Sequence, residues 1–282
     1  MLALRVATAA VLLALLLPTL WLASPWPFNL LTLVLMSLAG WEWGRLNGLS
    51  PPGAWTSGGV VAAAGLLLAS PSRAASDVPL LWWLAACAWV VGGALALRAG
   101  PSRWPAVPRP VRVVLGLLLL VVAWWALAHA RIVGVNYLLS VLCIVWMADI
   151  AAYFGGRALG RHKLAPLISP GKSWEGVASG MVGVLLLAWA WTAFDARVAT
   201  DSASLFTQLA QRFGAPAMAL AVLCLVGLSV MGDLFESLVK RAVGAKDASQ
   251  LLPGHGGVLD RVDALLPVLP AALAFTAWGA SR

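Results

Sequence analysis

The sequence predicts an all-α polytopic membrane protein of about nine transmembrane helices, with its candidate active site on the cytoplasmic side. Three observations predict it. Of 282 residues, 61% are apolar and only 11% are charged, whereas a soluble chain is roughly one quarter charged. The apolar residues fall in long continuous runs, several of them near the length of about twenty residues that spans a bilayer. The runs do not alternate, which favours helices over a barrel. A water-soluble fold is excluded on these grounds.

Taken in order, the runs are Leu4–Leu22, Phe28–Trp43, Trp55–Ala69, Val78–Leu97, Val113–Ala130, Val133–Phe154, Val177–Phe194, Ala215–Met231 and Ala264–Trp278. The first begins after Arg5 and ends near Leu22-Ala23-Ser24, which resembles a signal peptide. With eight runs downstream, an uncleaved first helix is the simpler reading. Pro51-Pro52-Gly53, Gly100-Pro101 and the prolines from 105 to 110 punctuate the connections. Sixteen Trp stand against two Tyr, and Trp21, Trp26, Trp43 and Trp55 lie near run ends, as an interfacial belt requires. Cys87, Cys143 and Cys224 sit inside apolar runs without metal-ligand spacing, so neither a disulfide framework nor a zinc site is indicated.

Charge then orients the chain. Nine spans place fourteen of the nineteen Lys and Arg on the N-terminal side and in the even-numbered loops, and five on the other side. The positive-inside rule puts the fourteen in the cytoplasm. The net charge of +8 is therefore a matter of topology and of attraction to anionic lipid, not of nucleic-acid binding. The expected location is the cell's inner membrane, with the polar loops facing the cytoplasm.

Five of the eleven acids lie between positions 233 and 263, in the eighth loop. Asp233, Glu236 and Lys240 share a helical face at spacings of three and four, and Gly244 should end that helix. Pro253-Gly254-His255-Gly256-Gly257 cannot be regular helix, and its glycines allow backbone N–H groups to approach an anion. Asp260 and Asp263, three apart at the start of the ninth run, can point the same way. Carboxylate oxygens are what Mg²⁺ prefers. Four basic residues pairing with these acids in a solvated loop would mean little, but acids at the ends of membrane helices are costly and usually functional.

A second polar island runs from Asp149 to Glu175. Gly171-Lys172-Ser173 looks like the end of a phosphate-binding P-loop, but Pro166 stands where the first glycine belongs, so that reading fails. Ser169, Lys172 and Ser173 remain as phosphate donors. Asp149 is either an ion-pair partner for Arg157 or a functional acid, and His162 carries no assigned role.

These residues carry a resemblance. Ser237 to Arg241, Lys246-Asp247 and Pro253-Gly-His255-Gly256-Gly257-Val-Leu-Asp260-Arg261-Val-Asp263 resemble the signature of the phosphatidate cytidylyltransferase (CDP-diacylglycerol synthase) family. So do Gly232-Asp233, Ala148-Asp149, Gly155-Gly156-Arg157 and Ser169-Pro-Gly-Lys172-Ser-Trp-Glu-Gly176. The motifs cover the last half of the chain, dividing it into N-terminal transmembrane helices (1–130) and a C-terminal catalytic transmembrane region (131–282). The resemblance implies transfer of CMP from CTP to phosphatidic acid within a lipid bilayer, with Mg²⁺ and room for a second metal ion. It admits a homodimer.

Carried onto this sequence, the resemblance implies Asp233 and Asp260 as first metal ligands, with Asp263 and Asp149 behind them. Asp233, Lys240 and Asp260 form the catalytic set. Lys240, Arg241 and Lys246 would hold phosphates, and Lys172 with Ser169 would close over the nucleotide. Asp247 and His255 would position either the metal's water or the cytidine, and Ser237, Gly256, Gly257 and Arg261 complete the substrate contacts. Two other functions compete. A membrane transferase acting on another lipid phosphate, such as a polyprenyl phosphate, would use the same metal chemistry. A cation transporter is disfavoured, because the acids cluster at one end and no inverted repeat is visible.

Overall fold

The computed structural model describes residues 2–69 and 78–277. Each of the nine apolar runs forms a helix, and most helices extend past their run. They are α1 (Leu2–Trp21), α2 (Trp26–Leu46), α3 (Pro51–Leu68), α4 (Pro79–Ala99), α5 (Arg109–Val133), α6 (Val135–Leu159), α7 (Trp174–Asp195), α9 (Ala215–Ala242) and α11 (Leu265–Ala277). Five of them, α4 to α7 and α9, are long and apolar enough to cross a membrane. Trp278, Arg73 and Arg282 lie outside the described residues.

Four smaller elements were not foreseen. A short 3₁₀ segment, Pro101–Ala106, follows α4. An antiparallel hairpin, β1 (Lys163–Ala165) and β2 (Ser169–Ser173), stands between α6 and α7. Amphipathic α8 (Leu205–Phe213) precedes α9, and one turn of helix, α10 (Leu259–Val262), precedes α11. Each is too short for its periodicity to stand out beside twenty-residue apolar runs.

Local chemistry sets the helix ends. Ser50, Ser173 and Ser204 cap α3, α7 and α8 by accepting from the backbone N–H three residues on. The Asp201 carboxylate caps α6, accepting from the N–H groups of Val135 and Asn136 at 2.5 and 3.0 Å. Gly244 closes α9 with φ +71° and donates to the Arg241 carbonyl, as the sequence suggested.

Small residues bring α6 and α7 together as an antiparallel pair. A Cβ at Gly180 would meet the Ala148 carbonyl at 3.0 Å, and one at Gly176 would meet the Ala152 carbonyl at 3.0 Å. That close approach is how apolar helices associate where lipid removes the hydrophobic drive.

Long-range hydrogen bonds sort the two ends of the bundle. At one end Thr8 donates to the Pro253 carbonyl, and the Trp43 indole donates to the Arg112 carbonyl at 3.0 Å. At the other, Arg131 donates to the Leu22 carbonyl and the Tyr137 hydroxyl meets Thr276 at 3.0 Å. The N-terminal end of α1 and the even-numbered loops therefore share one end. Trp43 does not belong to an interfacial belt. It is buried, beside Trp104 and Phe235, whereas Trp21, Trp26 and Trp55 are exposed.

Candidate active site

Polar residues gather at the shared end of α2, α6, α7 and α9. The last three turns of α9 carry Asp233, Glu236, Ser237, Lys240 and Arg241. Asp233 is held by two partners, the Lys172 ammonium of β2 at 2.5 Å and the Ser237 hydroxyl at 3.3 Å. Lys240 bridges Glu236, four residues earlier, and Asp260 of α10 at 2.5 Å. Its ammonium is nearly buried, so both carboxylates bear on it at low dielectric.

Asp260 is engaged by three partners. Besides Lys240, it accepts from the backbone N–H groups of Gly257 at 2.7 Å and Ala248 at 2.9 Å. Burial alone would raise its pKa, but Lys240 and these N–H donors hold it below the usual carboxylate value. Asp263 lies between α10 and α11, so the two carboxylates do not share one continuous helix as expected. Asp263 accepts from the Ala264 N–H at 2.7 Å. Burial, and after it the charge of Asp233, push its carboxyl up to about 8. Asp149, on α6, lies within electrostatic reach of Asp233, Lys172 and Arg261. It forms no ion pair with Arg157, whose guanidinium meets the Tyr153 hydroxyl instead.

The Gly-rich turn is built differently from the sequence reading. Leu252 and Gly256 bond across it, and Gly254 and Gly256 have φ of +78° and +81°. Several N–H groups in and just after it are already engaged. That of Gly257 goes to Asp260, and those of Val258 and Leu259 go to Glu42 at 3.0 and 2.6 Å. The His255 carbonyl accepts both arms of Arg261, at 2.6 and 3.0 Å, while its Nδ1 is buried without a partner. Arg241 turns toward the hairpin, donating to the Ile168 carbonyl at 3.3 Å.

Glu42 escaped the sequence reading. It is 0% exposed, and it accepts from Ser249 Oγ as well as from Val258 and Leu259. Gly257 is glycine because a Cβ there would run into the Glu42 carboxylate. Ser249 is therefore part of the turn's support and not an inert neighbour. A signal was available: Glu42 is the one acid in the first 76 residues, and it lies in an apolar run, where an acid asks for a reason.

Two cavities flank the charged cluster. One, of about 680 Å³, is lined by Arg45, Lys246, Asp247, Ser249 and Gln250. The other, of about 450 Å³, opens between α6, α7, α9 and the hairpin. It has Asp149, Arg157, Ser169 and Lys172 among its polar lining and Val177, Val226 and Val230 among its apolar lining. The structure thus brings Asp149, Lys172, Asp233, Lys240, Asp260, Asp263 and Arg261 into one neighbourhood. Lys246 and Asp247 stand on one side of it, and Ser169 on the other.

Comparison with known proteins identifies the chain's family. Residues 3–278 match the cytidylyltransferase family. The chain is 37% identical over 291 residues to the phosphatidate cytidylyltransferase of Pseudomonas aeruginosa, covering 98% of both proteins. It is 44% identical over 137 residues to that of Haemophilus influenzae, covering 49% of this chain and 44% of that one. It is 37% identical over 145 residues to that of Staphylococcus saprophyticus, covering 51% and 50%.

Proposed function

The chain belongs to the cytidylyltransferase family, and from that premise we propose that it transfers CMP from CTP to phosphatidate, forming CDP-diacylglycerol and pyrophosphate. The observation that carries the reading is the charged cluster lying between two unlike cavities, one more polar and one mostly apolar. The polar cavity, with Arg45 and Lys246 exposed in its wall, suits a nucleoside triphosphate. The other suits a lipid phosphate, its acyl chains against Val177, Val226 and Val230 and its headgroup beside Lys172 and Arg157.

A phosphate monoester is largely dianionic near neutral pH, so its oxygen needs little help from a base. That oxygen attacks the α-phosphorus of CTP. The new P–O bond forms as the bond to the β-phosphate's bridging oxygen breaks, and pyrophosphate leaves with that electron pair. Two anions must be brought together, which makes positive charge and alignment the enzyme's main contributions. Lys172 lines the second cavity and Lys240 lies in the charged cluster, the first fixed by one carboxylate and the second by two. Asp260 and Glu236 hold Lys240 in position, and Ser237 and Lys172 fix Asp233.

The donor set fits magnesium. Five carboxylates (Asp149, Asp233, Glu236, Asp260, Asp263) share the neighbourhood of Lys172, Lys240 and Arg261. Among the described residues no three acids come close enough to cage an ion unaided. Mg²⁺ commonly takes only one or two carboxylates and completes its shell with water and substrate phosphate. The resemblance implies Asp233 and Asp260 as its first ligands; since Lys240 and two backbone N–H groups already occupy Asp260, Asp233 and Asp263 would hold it, with Asp149 and Asp260 beside them. When bound, the ion supplies charge that offsets the phosphates during transfer. Nine membrane crossings, with this end of the bundle in the cytoplasm, complete the proposal, supported by the fourteen basic residues assigned to that end.

The test is a direct assay with radiolabelled CTP and two acceptors. Phosphatidate should yield a labelled liponucleotide and pyrophosphate, and a polyprenyl phosphate should yield none. Labelling of the polyprenyl acceptor alone would refute the assignment.

A further inference from the structure

A groove on the back of α9 has no part in this chemistry. With about 3.6 residues per turn, Asp233, Ser237 and Lys240 lie along one side of α9, and Met231, Phe235 and Leu238 lie roughly opposite. Phe235 and Leu238 line a cavity of about 390 Å³ closed by α4, the 3₁₀ segment and α5. Its walls are apolar, including Trp89, Leu95, Leu115 and Leu119, and Arg103 stands among them. The middle of α4 is a π turn, Trp89–Gly93, a distortion that recurs at functional sites. There Gly92 leaves part of the wall bare, since a side chain added to it would meet nothing within 4 Å.

Trp104, only 6% exposed, closes the inner wall of the groove against Trp43 and Phe235. Two observations say what the groove holds. Arg103, also in the wall, has no carboxylate partner among the described residues. Residues 98–112 carry four arginines and no acid. An exposed cation in the wall of an apolar furrow, at the bundle end that also holds Arg112 and Trp43, matches one chemistry: a phosphate headgroup with an acyl chain behind it.

We propose that this groove is a second lipid site, separate from the substrate cavity, that binds an anionic phospholipid of the bilayer. The phosphate is held by Arg103, and an acyl chain lies over Gly92 between α4 and α5.

The full-length protein in nanodiscs, with photoreactive phosphatidylglycerol or phosphatidylcholine carrying the same diazirine-bearing chain, tests this. Cross-links should map to residues 89–107 and favour the anionic lipid by about fivefold, the discrimination expected of one arginine near an anionic surface. Arg103→Ala should abolish that preference. Gly92→Leu, whose Cβ meets no neighbour and whose side chain would occupy the furrow, should remove the cross-link whichever lipid is used. Both variants should keep wild-type labelling elsewhere, which reports correct folding. Equal labelling by the two headgroups, or labelling indifferent to both substitutions, would overturn the proposal and leave the groove an ordinary bilayer-facing surface.

Discussion

Asp263 shows how a single carboxylate can report on the site. Its folded pKa is raised from 3.8 to about 8, first by burial and then by Asp233. An acid whose folded pKa lies above its unfolded value loses stability as pH rises between the two, because the unfolded chain releases its proton first. Without magnesium, the protein should therefore weaken between about pH 4 and pH 8. Asp263→Asn should flatten that decline, and thermal melts of the detergent-solubilised protein would show it. Added Mg²⁺ should raise the wild-type melting temperature at pH 8 more than that of Asp263→Asn. Identical melting profiles for the two proteins would mean that Asp263 titrates like a solvated acid. The residues of this cluster were legible in sequence because they are charged residues in a chain that has few. Their pairings were not. Nothing in the order of residues says that Lys240 takes both Glu236 and Asp260, or that Lys172 reaches Asp233 across 61 positions.

At the scale of elements, the long helices could be read because apolar runs near twenty residues admit few alternatives. The hairpin, α8 and α10 could not, being shorter than any reliable period. The Gly-rich turn lies between these cases: its glycines marked irregular backbone correctly, but its partners come from α2, more than 200 residues away. Glu42 ties down the N–H groups that lead into α10, so it positions Asp260 without touching substrate. Gly257→Ala should impair turnover at least as much as Glu42→Gln, since its Cβ would displace the carboxylate that holds the turn. Losing a buried partner of this kind costs about 1–3 kcal/mol. Gly244→Ala, at a position with open space around it but φ +71°, should cost stability more than turnover. A Gly257→Ala enzyme with normal kcat would show that the turn does not need Glu42 in place.

The whole molecule is a bundle whose two ends differ in kind. One end is closed by a neutral and acidic network around Asn136, which bonds Asp195, Ser202 and Trp191. The other gathers the charged cluster, both flanking cavities and the arginine-rich segment after α4. This asymmetry follows from hydropathy and charge together, which is why orientation could be argued before any contact was known. A reporter active only in the cytoplasm, fused within the Lys246–Gln250 segment, should be active, and one fused after Arg282 should be silent. The opposite pattern would turn the molecule over in the membrane and remove CTP from its site.

If transfer runs between the two cavities as proposed, Asp233, paired with Lys172 of the second cavity, takes part in it directly. The most direct measurement is CDP-diacylglycerol formation by Asp233→Asn, which keeps the side chain's shape and removes its charge, beside wild type inserted at equal level. Turnover should fall by about a hundredfold or more, the loss expected when one well-placed electrostatic group is removed from a reaction centre. A near-normal rate would contradict the account and reduce the Lys172–Asp233 pair to a fastening between β2 and α9.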